Sequence, residues 1–281
     1  MLLEVVNPFD QKIYVELPFD TDTRVRKKIH TARRAFEQWR RLPLGDRIGA
    51  VREGLNYFRT HKQAIAEEIS CQMGKPLAQS RGEFGGFFER AYVHRSCYDV
   101  FIERVEAVMS EYRLGDPLDE NTTVGPLASS ATLDLLDHQV ADAVARGARL
   151  ILGGKRMAAT DGNFYLPTLL VDVPNDAEVM QAESFGPILP VLAVGSDQEA
   201  VERMNDSRFG LTASVWTGSR EKAEWFARRL KVGTVYQNRC DYLDPALPWT
   251  GVGDSGKGSS LSTYGYYHLT RRKSIHFRTE T

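Results

Sequence analysis

Cysteine is scarce in this chain of 281 residues, and what there is follows no pattern. Cys71, Cys97 and Cys240 are odd in number and far apart, with no C-x-x-C among them. That excludes a disulfide framework and a cysteine-based zinc site. The six histidines are equally scattered, without H-x-x-x-H or H-E-x-x-H, so no metal-ligating set can be drawn. Excess charge is missing too: 36 Lys and Arg stand against 37 Asp and Glu, a net of −1. No chain-wide field recommends nucleic acid or a membrane as a partner. No apolar run reaches the length of a membrane span. The opening MLLEVVNPFD has neither the basic start nor the apolar stretch of a secretory leader. The expected setting is cytoplasmic, with reduced thiols.

What the sequence does contain is ordinary globular material. Hydrophobic residues make up 42% and charged residues 26%, enough for a real core in one or two domains. Residues 1–19 read as short strands around the turn Asn7-Pro8-Phe9-Asp10. After Asp20-Thr21-Asp22 the period changes. Val25, Ile29, Ala32, Phe36 and Trp39 step by four, three, four and three along one helix face, which Pro43 closes. A second face runs through Ile48, Val51, Leu55 and Phe58. A third runs from Ala64 to a stop at Gly74-Lys75-Pro76. Residues 77–91 are ambiguous, because Gly82, Gly85 and Gly86 weaken a helix there. Tyr92-Val93-His94 reads as a strand end, and Ser96 as the start of the next helix.

From residue 130 onward helices and strands alternate. The spacing predicts a helix over about 130–146, strands at Arg149–Leu152 and Leu166–Val171 around a hairpin-like loop, and a strand at Ile188–Val194. A helix from Asp197, a strand Leu211–Trp216, a helix over about 219–230 and a strand Val232–Tyr236 follow. This order argues for an α/β fold with a mostly parallel sheet and flanking helices. The alternation in Ser274-Ile275-His276-Phe277-Arg278 predicts a final strand.

Few residues suggest chemistry by themselves. Gly251, Gly253 and Gly256 in GVGDSGKG satisfy G-x-G-x-x-G, and Lys257 nearly completes a phosphate loop. The context is wrong for both, since no apolar strand precedes, no long helix follows, and Gly258 stands where a magnesium-holding hydroxyl belongs. A structural glycine loop is the better reading. Cys240 lies between Arg239 and Asp241, where a cation could lower a thiol pKa, but no His or Asn can be assigned to any of the three cysteines. They read as inert, partly buried small residues. The run Arg271-Arg272-Lys273 reads as a solvated strand start.

Several segments together resemble the aldehyde dehydrogenase superfamily, in family order and over nearly the whole chain. They are NPFDQKI at the start, MGKP at 73–76, YVHRSCYDVFIERV, LGDPLDENTTVGPL, LGG at 152–154, YLPTLL at 165–170, ESFGP at 183–187, LTASVWT at 211–217, and VGTVYQN followed by WTGVGDSGKG. The resemblance implies an oxidoreductase acting on aldehydes with NAD or NADP. It matches Glu183 to the residue that hydrogen-bonds the nicotinamide ribose and Phe185 to the aromatic beside the nicotinamide. It also implies a gap. FFERA runs straight into YVHRS near residues 88–92, so the Rossmann-like cofactor region, the oxyanion asparagine, the glutamate base and the nucleophilic cysteine have no counterpart, and no catalytic residue is assigned. Cys97 matches a variable position after the family's nucleophile. A natural deletion, an engineered one and an error in the gene's reading frame all read alike.

On that basis residues 1–91 are remnant strands and helices of the cofactor-binding side, 92–263 a remnant of the catalytic α/β domain, and 264–281 an oligomerisation arm. The implied state is a homo-oligomer, foremost a dimer joined through that arm, or a partner of a full-length relative. Three readings stay open at this level: an inactive relative, a pseudoenzyme that joins active relatives, and an enzyme with another nucleophile such as Cys240.

Overall fold

The computed structural model describes residues 2–80, 89–158, 160–240 and 242–280. The chain begins with an antiparallel pair, β1 (Leu2–Val6) and β2 (Ile13–Pro18), whose register places Glu4 opposite Glu16. Three long helices follow: α1 (Asp22–Trp39), α2 (Leu44–Thr60) and α3 (Lys62–Met73). Thr21 caps α1 by accepting the Arg24 N–H at 3.3 Å, and Asp22 stands in the first turn. Pro43 does end this run, and it serves as the N-cap of α2. Gly74 closes α3 in the left-handed conformation at φ 76°. A Cβ there would stand 2.2 Å from the Pro126 carbonyl oxygen, so both the turn and the close approach require glycine. The short α4 (Leu77–Ser80) comes next; the glycines at 82, 85 and 86 lie outside the described residues.

β3 (Ala91–His94) leads through a 3-10 turn at Arg95–Cys97 into α5 (Tyr98–Ser110). The helix expected from Ser96 therefore starts two residues later. His94 Nδ1 accepts the Ser96 N–H at 3.2 Å and holds the tighter turn first. Then come α6 (Ser130–Ala145), β4 (Arg149–Leu152), β5 (Thr168–Val171), α7 (Glu178–Gln181), β6 (Ile188–Val194) and α8 (Asp197–Asn205). The chain continues with β7 (Phe209–Gly210), β8 (Thr212–Val215), α9 (Arg220–Ala227), β9 (Thr234–Gln237), β10 (Trp249–Thr250), β11 (Val252–Gly253), β12 (Ser259–Ser260) and α10 (Gly265–Leu269).

These elements form two units that interleave along the chain. One comprises residues 1–84, 108–138 and 153–167; the other comprises 85–107, 139–152 and 168–281. In the first, Phe164 and Tyr165 are buried, the Asn163 N–H donates to the Pro8 carbonyl at 2.9 Å, and Phe9 meets the Phe164 ring edge-on. Burial pushes the Tyr165 phenol well above its ordinary pKa. Nothing in α1 or α2 is buried.

The second unit holds the main sheet, in the order β3-β6-β5-β4. β6 is central and parallel to both β3 and β5, while β4 joins β5 antiparallel with a bulge between Leu150 and Leu152. The sheet is thus parallel except at one edge, where the loop after β4 returns the chain hairpin-fashion. β8 and β9 pair parallel in a sheet of their own. All four residues of β5 are buried, the polar Thr168 with Leu169, Leu170 and Val171, which matches a strand with both faces covered. A second apolar cluster gathers Val194, Ala200, Val201, Ala213, Val215, Phe226 and Leu230.

The expected final strand does not form: residues 271–280 carry no strand pairing, and Ile275 and Phe277 are exposed. Alternation shows which side chains share a face, but a strand also needs a neighbour to take its N–H and C=O groups.

Candidate functional site

Glu183 and Phe185 stand on the turn that carries the chain from α7 into β6, and this turn is tied down from several sides. The Glu178 N–H at the start of α7 donates to Asp142 Oδ2 at 2.8 Å. Val179 and Met180 are fully buried. Gln181 Nε2 donates to the carbonyls of Asn175 at 2.6 Å and Asp206 at 3.0 Å. Beyond the turn, the Thr168 N–H donates to the Pro187 carbonyl at 2.7 Å, which starts the β5–β6 ladder.

Within the turn, buried and exposed residues alternate. Ser184 is buried; its N–H donates to Glu89 Oε2 at 3.1 Å. Glu183 and Phe185 on either side are exposed, Phe185 to 74%. Phe185 also has φ 47°, in the left-handed region that an aromatic residue seldom occupies. Such strain persists where the surroundings fix the backbone. Gln139, fully buried on α6, donates from Nε2 to the Glu183 carbonyl at 3.5 Å, the long limit of a hydrogen bond. Gln139 Oε1 and Ser184 Oγ are buried without a hydrogen-bond partner. Buried polar atoms of this kind are uncommon; one belongs to the turn and the other to the α6 side chain that donates to it.

Reading the residues alone misses Glu89, Gln139 and Asp142. Gln139 left a signal: it interrupts the apolar face of Leu133, Leu136, Val140 and Val144 with a polar side chain that is nonetheless buried. Glu89 left none, since a contact across 95 residues of sequence has no local pattern.

The other candidates settle into structural places. Gly253 takes φ 61°, and a Cβ there would lie 2.3 Å from the Arg208 carbonyl oxygen. β11 pairs with β7 and β10 with β12, so the 251–258 segment is a folded glycine loop with no helix directly after it. Burial raises the Cys71 thiol pKa, away from thiolate character. Cys97 is exposed and its thiol donates to the His94 carbonyl at 3.2 Å. Cys240 is half-buried beside Arg239, whose guanidinium lies 3.6 Å from the centre of the Tyr242 ring; Asp241 lies outside the described residues. Among the described residues no group of three or more His, Cys, Asp and Glu could hold a metal ion, and no helix is long and apolar enough to cross a membrane.

The described residues meet the needs of a dinucleotide only in part. Glu183 offers a carboxylate suited to ribose hydroxyls, and Phe185 an open ring face suited to a nicotinamide. A pyrophosphate needs convergent backbone N–H groups at a helix start, commonly after a glycine turn. The glycine loop at 251–258 lacks that helix, so among the described residues this loop does not supply a pyrophosphate cradle.

Comparison with known proteins places this frame. The chain is 35% identical over 222 residues to an aldehyde dehydrogenase of Paenarthrobacter nicotinovorans, covering 79% of this chain and 48% of that protein. It is 34% identical over 197 residues to the NAD(P)+ succinate semialdehyde dehydrogenase Sad of Escherichia coli (strain K12), covering 70% and 42%. The chain therefore spans less than half the length of these curated relatives. An E. coli crystal structure described as an NADP-dependent enzyme shares the fold, with a TM-score of 0.89 over 94% of this chain and 92% of that one at 19% identity. The model of the aldehyde dehydrogenase family matches residues 1–89 and 87–275, which between them take in nearly all the residues, and so this chain belongs to the aldehyde dehydrogenase family.

Proposed function

We propose that this chain is an aldehyde dehydrogenase relative lacking the region between its two matched pieces, and that it does not oxidise aldehydes by itself. The observation that carries this reading is the junction. The family matches meet at residues 87–89, while the curated relatives are more than twice as long as the parts aligned. On this reading the lost region held the nucleophilic cysteine, the glutamate base, the oxyanion asparagine and most of the cofactor site. Glu183 and Phe185 are what remains of the contacts to NAD or NADP.

The chemistry explains the expected inactivity. Aldehyde oxidation by this family's route needs a thiolate to attack the carbonyl, N–H donors to hold the oxyanion, a hydride acceptor and a base for the hydrolytic water. Loss of one oxyanion donor typically lowers the rate by about 10²–10³. Loss of nucleophile and base together leaves no step for the rest to accelerate. On this reading Cys240 is no substitute, since it is half-buried and no histidine or asparagine can be assigned to it from the sequence. The assay is a panel of aliphatic and aromatic aldehydes with either cofactor. The expected result is no turnover above background; turnover abolished by Cys240→Ala would contradict the reading.

The role left to such a chain is assembly with copies of itself or with a complete relative. In support, Tyr264, Tyr266, Leu269, Ile275 and Phe277 at the C-terminal end are all exposed, an apolar set that solvent disfavours. Pairing of residues 274–278 with a neighbouring chain would supply the missing ladder. Light scattering coupled to size exclusion tests this. The intact chain should be a dimer, and a chain ended before Tyr264 a monomer.

A further inference from the structure

The near-neutral total charge conceals a polarised chain. Residues 22–60 hold eleven Lys and Arg against four Asp and Glu, a net of +7, so the rest of the chain carries −8. Most of the excess lies in and just after α1, where residues 22–41 carry eight basic side chains and two acidic ones. The same helix presents Val25, Ile29, Phe36 and Trp39 along one face. All four are exposed, Ile29 to 50% and Phe36 to 56%.

The charges are arranged around that face. Arg26, Arg33 and the C-capping Arg40 recur every seven residues and therefore line one border of the apolar stripe. On the other border Arg24 and Lys28 both reach Asp20. Lys27, Arg34 and Arg41 lie on the opposite side. α2 follows after four residues and repeats the pattern with less charge, through Ile48, Val51, Leu55 and Phe58, all exposed. A helix with an aromatic-bearing apolar stripe on one side and a strongly basic polar face on the other suits the boundary between water and acyl chains.

We propose that α1, continued by α2, is a docking surface for an anionic lipid membrane. The apolar stripe enters the headgroup–acyl boundary, and the arginine border stays at the level of the lipid phosphates. Charge complementarity selects this occupant over a second copy, because two α1 helices laid face to face would oppose +6 with +6. The net −8 on the rest of the chain would be repelled by the same surface, which leaves α1–α2 as the face presented.

The test is sedimentation of the full chain with phosphatidylcholine vesicles containing about a third phosphatidylserine, against phosphatidylcholine alone. The chain should bind the anionic vesicles at least about tenfold more tightly, and high salt should release it. The double variant Ile29→Glu/Phe36→Glu alters only exposed positions, so its circular dichroism and unfolding midpoint should match the parent while vesicle binding falls at least about tenfold. The control pair Val100→Glu/Val108→Glu, at exposed positions of α5, should bind as the parent does. No binding to anionic vesicles overturns the proposal, as does undiminished binding by the α1 variant. Binding lost equally in the α5 control shows a general charge effect and also overturns it. An α1 variant that turns an oligomer into a monomer, with no vesicle binding by the parent, makes the occupant a second copy.

Discussion

Residues 22–60 and the strand β5 both follow regular hydrophobic patterns, yet they end in opposite environments. Leu169, Leu170 and Val171 are fully buried between β4 and β6. Val25, Ile29, Phe36, Val51 and Phe58, on equally regular helical spacings, face solvent. Periodicity therefore reports which side chains share a face and nothing about whether a second face comes to meet it. β5 has a neighbouring strand on either side; no residue of α1 or α2 is buried. The contrast fits a family member whose sequence matches break at residues 87–89.

The sharpest way to test this contrast is to cut the same kind of group from both regions. Leu170→Ala should destabilise the chain by about 2–5 kcal/mol, from lost transfer energy and the cavity left behind. Chemical denaturation reads it, and a change below about 1 kcal/mol would mean that the sheet's interior is loosely packed.

A second, smaller effect probes the polar fastening of the sheet edge. The Tyr98 hydroxyl donates to Asp172 Oδ1 at 3.1 Å and accepts the Asp172 N–H at 2.9 Å, holding Asp172 at φ 56°. Tyr98→Phe should cost about 1–3 kcal/mol, since it leaves that N–H and carboxylate with fewer partners. The same tyrosine gives a pH dependence. Burial raises the phenol pKa of Tyr98 and of Tyr92 above the ordinary 10.0. Between pH 10 and those raised values the folded chain holds protons that the unfolded chain has lost. Their contribution to stability is full below pH 10 and falls as the pH rises through the folded values, which denaturation at a series of alkaline pH values would show.

Glu89→Ala should act locally. Removing the acceptor of the Ser184 N–H should weaken the 183–185 turn by about 1 kcal/mol. Faster amide exchange at residues 183–186, with little change in the unfolding midpoint, is the expected result. The smallest effect belongs to the exposed helices. Phe36→Ala should shift stability by no more than about 0.5 kcal/mol, despite removing a larger side chain than Leu170→Ala does. A loss near that of Leu170→Ala would mean that the α1 face is covered in solution and would end the contrast.

Much of this fold was legible in the sequence because its signals are local. The helix after Thr21, the cap at Gly74 and the strands Arg149–Leu152 and Ile188–Val194 follow from spacing, capping chemistry and β-branched runs within a few residues. What escaped was non-local. The separation of β8 and β9 into their own sheet and the unpaired tail both depend on which segments meet. At the candidate site, Glu183 and Phe185 came into view through resemblance. Glu89 and Gln139, which hold the turn's backbone, did not, because their partners lie 95 and 44 residues away.

The most direct test of the central claim, a retained cofactor turn without a complete cofactor site, is calorimetric titration of NAD+ and NADP+ into the intact chain. Glu183 and Phe185 alone supply few contacts, so the account predicts no saturable heat with either dinucleotide. A dissociation constant in the micromolar range, weakened by Glu183→Ala, would contradict it.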